Sequence, residues 1–90
     1  MPEKGSVVLA TAGRDRGELF VVLAAGERDC LIADGRRRKV LHPKRKNSRH
    51  LHATQISLLP EQYAADSRLR RALREAAHRY DDINSPDEGG

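Results

Sequence analysis

The 90-residue chain has one cysteine, Cys30. No disulfide can form within it, and no Cys-rich zinc site can be assembled. Aromatic residues are almost as scarce: Phe20, Tyr63 and Tyr80, with no tryptophan. Proteins that grip single strands by stacking need aromatic platforms, and this chain has few to spare. No apolar run approaches the ~20 residues of a membrane span. The N-terminal "MPEKGSVVLATAG" is interrupted by Thr and Gly and lacks a cleavage pattern, so a cytoplasmic protein with no membrane partner is expected. Phosphate-loop, nucleophile-elbow and zinc-peptidase motifs are missing. "GRDRG" at 13–17 has the glycines of a phosphate loop, but it lies between two expected strands. A single small domain leaves little room for a substrate cleft. The expectation is therefore no enzyme, no cofactor and no metal.

The most telling absence is of negative charge. No Asp or Glu occurs between Asp34 and Glu61. Inside that gap, "GRRRKVLHPKRKNSRHLH" at 35–52 carries eight Lys or Arg and three His. The net charge is +4, yet outside this block nine basic residues face thirteen acidic ones. A solvated edge strand needs only a few lysines to block aggregation. Eight cations without a counter-ion disfavour folding by self-repulsion, and a nucleic acid is the obvious polyanion to neutralise them. The missing Cys pair, the lack of any carboxylate over 35–60 and the same crowding argue against a metal on His42, His50, His52 and His78, although His50 and His52 would share a strand face.

Along the chain, "SVVLATA" (6–12), "ELFVVLAA" (18–25) and "CLIAD" (30–34) read as strands separated by turns. Cys30 reads as a small buried apolar residue rather than a reactive thiol. Asp34-Gly35 is a tight-turn pair in which Gly accepts a positive φ. "RRRKVL" (36–41) and "RHLHATQISL" (49–58) complete five extended segments, with Pro43 between them. The spacing predicts a mainly β fold, a small closed or partly closed antiparallel barrel. The first two strands are apolar on both alternating sets and need cover on both sides. The expected core includes Val7, Leu9, Leu19, Val21, Leu31 and Leu73, with Phe20 and Tyr80. After Pro60, Leu69, Ala72, Leu73, Ala76, Ala77 and Tyr80 fall on one face of a helix, with Asp66 or Ser67 as its N-cap. Its outer face, Arg68, Arg70, Arg71, Arg74, Glu75 and Arg79, reads as solvated, with a supplementary contact to RNA or a protein as the sharper alternative. The organisation expected is a barrel over 1–59, a packed helix over 60–82 and a disordered tail over 83–90.

The N-terminal half resembles the KOW motif of ribosomal proteins and transcription elongation factors. Val7-Val8, Gly13, Gly17 and Phe20-Val21-Val22 carry the resemblance. "LIADG", a basic run and then "KRKNSRHLHAT" extend it toward the ribosomal large-subunit "fourteen-e" protein of archaea and eukaryotes, over about residues 5–54. The resemblance implies an SH3-like barrel that binds structured RNA, typically ribosomal RNA. It implies that Gly13 and Gly17 shape the first turn. It places Arg36, Arg37, Arg38, Lys39, Lys44, Arg45, Lys46, Asn47, Arg49 and His50 in the RNA-facing segment. Arg14 and Arg16 would join it from the neighbouring loop, and Gly35 would shape the turn before it. The chain lacks the long basic C-terminal extension of ribosomal members, which suits a short bacterial relative associated with the ribosome. Phosphates would be held by Lys and Arg and the RNA recognised by shape. Replacing Arg36, Arg37 and Arg38 by Ala is expected to weaken RNA binding and leave the fold intact. The alternative from a different class is a protein–protein adaptor of the translation or transcription machinery.

Overall fold

Consecutive side chains of a strand point to opposite faces, so strands apolar at every position must be covered twice. The computed structural model, which describes residues 2–84, meets that demand with one antiparallel sheet and one long helix. The strands are β1 (Ser6–Ala10), β2 (Leu19–Ala25), β3 (Asp29–Ala33), β4 (Lys44–Asn47) and β5 (Leu51–Ser57). They lie in the order β4-β3-β2-β1-β5. A 3-10 turn at Ser48–His50 joins β4 to β5, and another at Pro60–Tyr63 leads into α1 (Asp66–Asn84). The edge strands β4 and β5 are not hydrogen-bonded to each other, so the described sheet is open by backbone criteria.

One face of the sheet presents Val7, Val21, Ala33 and Ile56 to Leu69, Ala72, Leu73 and Ala76 of α1. The opposite face gathers Val8, Ala10, Phe20, Val22, Cys30, Ile32 and Leu51 from four strands. These residues meet because the sheet curls over them. Phe20 is fully buried there, a burial worth roughly 1.5–3 kcal/mol. The core is therefore larger than the expected set, with one layer on each face of the sheet. Val7, Val21 and Leu73 are buried, but Leu9, Leu19 and Leu31 are only half-buried, and their neighbours Val8, Phe20 and Ile32 take the interior. Alternation cannot rank the two faces by burial where both sets are apolar. Tyr80 is half-buried and packs against the helix-side core. Cys30 is buried, and burial followed by the nearby Asp29 charge pushes its thiol pKa up, away from reactive thiolate.

The fourth strand is not where the sequence placed it. Residues 36–41 form a loop because their backbone donors are taken. Asp34 Oδ1 accepts from the Arg36 N–H (2.9 Å) and the Arg38 N–H (3.0 Å). The Val40 N–H donates to Asp66 Oδ1 at 2.8 Å. Side-chain acceptors thus replace a strand ladder, and pairing with β3 starts only after Pro43, with Ile32 opposite Lys44. Asp66 spends its carboxylate on Val40, 26 residues away in sequence. In β5, Gln55 adopts φ 69° where the pairing with β1 shifts register. The Thr54 hydroxyl donates to Val7 O (2.7 Å) and accepts from the Ile56 N–H (3.2 Å), filling in for ladder bonds at the irregularity. α1 takes in Ile83 and Asn84, and the rest of the expected tail, 85–90, lies outside the described residues.

Candidate nucleic-acid interface

Three devices fix the loop after β3. Asp34 is buried and gathers the backbone N–H groups of Arg36 and Arg38. Gly35 takes φ 79°, which an L side chain rarely adopts. α1 clamps the loop from outside: Asp66 holds Val40, and Arg70 Nη1 donates to Gly35 O at 2.7 Å. With its backbone tied down, the loop leaves Arg36, Arg37 and Lys39 exposed.

The β1–β2 loop docks against this segment through Asp15. Gly17 N–H bonds Ala10 O (2.8 Å) and Ala10 N–H bonds Glu18 O (3.0 Å), closing the hairpin and turning Asp15 inward. Its carboxylate is 1% exposed. Lys44 Nζ lies 3.0 Å and Arg38 Nη2 3.6 Å from Oδ2, and Arg37 Nη1 lies 3.9 Å from Oδ1. The basic block therefore has an internal counter-ion, which corrects the expectation that it had none. One carboxylate facing three cations leaves the cluster positive. Burial by itself pushes the Asp15 carboxyl up, but the Lys44 hydrogen bond and the charges of Lys44, Arg38 and Lys46 outweigh it and hold the carboxyl below its ordinary value.

That depression carries a sign. Asp15 stabilises the fold fully above its unfolded pKa near 3.9, and the contribution fades as pH falls through the lower folded value. Asp15→Asn is expected to cost about 2 kcal/mol at pH 7, less than a fully buried pair because the cations are partly solvated. Chemical denaturation of both proteins should show the gap begin to narrow below about pH 4, where the unfolded parent takes up the proton, and close only below the lowered folded value, where the folded carboxyl is neutral too. A gap that stays constant to low pH would remove Asp15's charge as the cause.

β4 divides its cations by face. Its register places Lys44 beside Ile32 and Lys46 beside Cys30, on the inner side of the curled sheet. Lys44 reaches Asp15, and Lys46, itself buried, donates to Ala12 O at 2.8 Å. The two lysines thus tie the edge strand to the β1–β2 loop with side chains. Arg45 points the other way, exposed, opposite Leu31. Asn47 accepts the Arg49 N–H at 3.0 Å and starts the 3-10 turn. Arg49 is exposed on that turn and His50 half-buried, so His50 and His52 do not share a strand face as expected.

The candidate residues therefore separate into roles. Arg14, Arg16, Arg36, Arg37 and Lys39 are exposed on two loops joined through Asp15. Arg38, Lys44, Lys46 and Asn47 serve largely as scaffold. Arg45 and Arg49 lie apart from the Asp15 junction. Gly13, Gly17 and Gly35 all take positive φ. Sequence reasoning missed Asp15, although an acid set between glycines and arginines in "GRDRG" was a signal. It also left Arg70 and Arg74 among the solvated helix residues, whereas both line a recess beside Arg36.

Among the described residues no three His, Cys, Asp or Glu converge as metal ligands, and no helix is long and apolar enough to cross a membrane. Comparison with protein-family models finds no match, and comparison with curated proteins finds none either.

Proposed function

We propose that the protein is an RNA-binding module of the SH3-like barrel type that holds structured RNA, most fittingly ribosomal RNA, in the cytoplasm and in association with the ribosome. The curled five-stranded sheet and the lysine ties across its open edge support the barrel reading. The KOW-like residues Gly13, Gly17 and Phe20-Val21-Val22 support the kinship. The observation that carries the function is the pair of loops presenting five exposed cations around one buried carboxylate. Arg takes phosphate oxygens in pairs and Lys acts as a point charge, which suits an irregular phosphate track. Phe20 is buried and both tyrosines are half-buried, so contact falls to phosphates and shape rather than stacking on aromatics. In this reading the chain binds and does not catalyse.

Five phosphates neutralised by Arg14, Arg16, Arg36, Arg37 and Lys39 release their counterions. A titration against a folded ribosomal RNA hairpin is expected to show a log–log salt slope of about −4.5 on duplex, or about −3.5 on single strands. A flat response rejects the function. The adaptor reading draws on Leu41, 85% exposed within the basic loop. It requires the opposite result, weak salt dependence and no affinity for RNA.

A further inference from the structure

We propose that the recess between α1 and the two basic loops receives a single unpaired nucleotide of the bound RNA. The inference rests on the RNA-binding reading and names the kind of RNA that the site prefers. The recess is an open space of about 720 Å³, within the roughly 300–1,000 Å³ typical of small-ligand sites. Leu19 of β2 and Leu73 and Ala77 of α1 give it an apolar lining, and Arg36, Arg70 and Arg74 give it three guanidinium groups. That combination matches a nucleotide: a flat base on one side of the sugar and an anionic phosphate on the other.

Three details favour a nucleotide of the same RNA over any other occupant. First, the recess is continuous with the phosphate surface, because Arg36 and Gly17 belong to both. Second, Arg70 is held in place. Its Nη1 bonds Gly35 O, which leaves its remaining N–H donors and its planar face for a ligand. A guanidinium plane can stack a base where aromatic rings are lacking. Third, Arg70 and Arg74 stand one helical turn apart, a like-charge spacing that weakens a helix unless an anion sits between them. Asp34 lines the recess too, with its Oδ1 taken by the Arg36 and Arg38 backbone N–H groups, and so does Glu18. The Glu18 carboxylate would accept the N–H donors of a base edge and would repel a second phosphate. An extended acidic peptide would meet that same repulsion.

The experiment compares three RNA hairpins of one length: a fully paired stem, the stem with one bulged nucleotide, and the stem with an abasic bulge. The full chain is expected to bind the bulged stem about tenfold tighter than the other two, the scale of one stacked base. Amide NMR signals of Leu19, Leu73 and Ala77 should shift with the bulged stem alone. Arg74→Ala, at an exposed position, should cut the preference below about twofold while paired-stem affinity stays within about threefold. Ala77→Glu, which puts a carboxylate in the recess, should do the same through a second residue. Equal affinity for bulged and paired stems overturns the recess assignment and leaves RNA binding standing. So does a preference that survives loss of the base, which would report backbone flexibility. A glutamate-rich peptide that shifts those three amides would give the recess to a protein segment and overturn the assignment too. If no hairpin binds at low salt, this inference and the RNA-binding reading fall together.

Discussion

Gly35→Ala should lower stability by about 3 kcal/mol, which for a domain of this size moves Tm down by roughly 12–24 °C. Two costs add at this position. The backbone holds φ 79°, where an L side chain costs about 1–2 kcal/mol. The new Cβ would also lie 2.5 Å from the Asp66 carbonyl oxygen and 3.1 Å from Arg70 Cγ. The carbonyl belongs to the first turn of α1 and cannot swing aside like a side chain. Relief requires the helix start to move, which loosens both the Val40–Asp66 and the Arg70–Gly35 bonds. Gly17→Ala supplies the internal control. It has φ 89° but nothing within 4 Å of its Cβ position, so only the backbone cost applies, about 1–2 kcal/mol. Thermal unfolding of both variants should rank Gly35→Ala well below Gly17→Ala. Equal losses would show that the loop yields without disturbing α1 and that the clamp does not hold the basic segment.

That contrast marks where the sequence stops being readable. Gly17 and Gly35 were recognisable as turn glycines from their local neighbours alone. The first three strands, the helix and its buried stripe were legible for the same reason: their patterns are local and periodic. The partner of Gly35 was not, because Asp66 approaches from 31 residues further along the chain. The false strand at 36–41 has one cause with this, since its Val40 donor also goes to Asp66. Asp15 and Lys44 are 29 residues apart, and nothing in either segment announces their meeting. The basic block was legible as a charge surplus but not in its division of labour. Lys46 and Arg45 are adjacent and equally cationic, yet strand alternation sends one inward to Ala12 and the other outward. That phase depends on where β4 starts, which depends in turn on the loop that α1 holds.

The same division changes which variant tests RNA binding cleanly. Arg38 lies 3.6 Å from Asp15 with its side chain 32% exposed, so its removal would disturb the scaffold as well as the surface. The triple variant Arg36→Ala, Arg37→Ala, Lys39→Ala instead takes only exposed cations. Arg37 reaches Asp15 at 3.9 Å with 65% of its side chain exposed, while Lys44 at 3.0 Å keeps the carboxylate paired after it is gone. Stability should therefore change little. If each lost cation had neutralised one phosphate, the salt slope on duplex RNA becomes shallower by about 2.7, from about −4.5 to about −1.8. Because counterion release contributes little near 1 M salt, the slope fixes the affinity loss: about 500-fold at 0.1 M and about 25-fold at 0.3 M. A loss that stays constant with salt would point to misfolding or to base contacts, not phosphate contacts. A triple variant that keeps the parental affinity at 0.1 M salt would move the RNA surface elsewhere, to Arg45 and Arg49 on the outward side of β4 and its following turn.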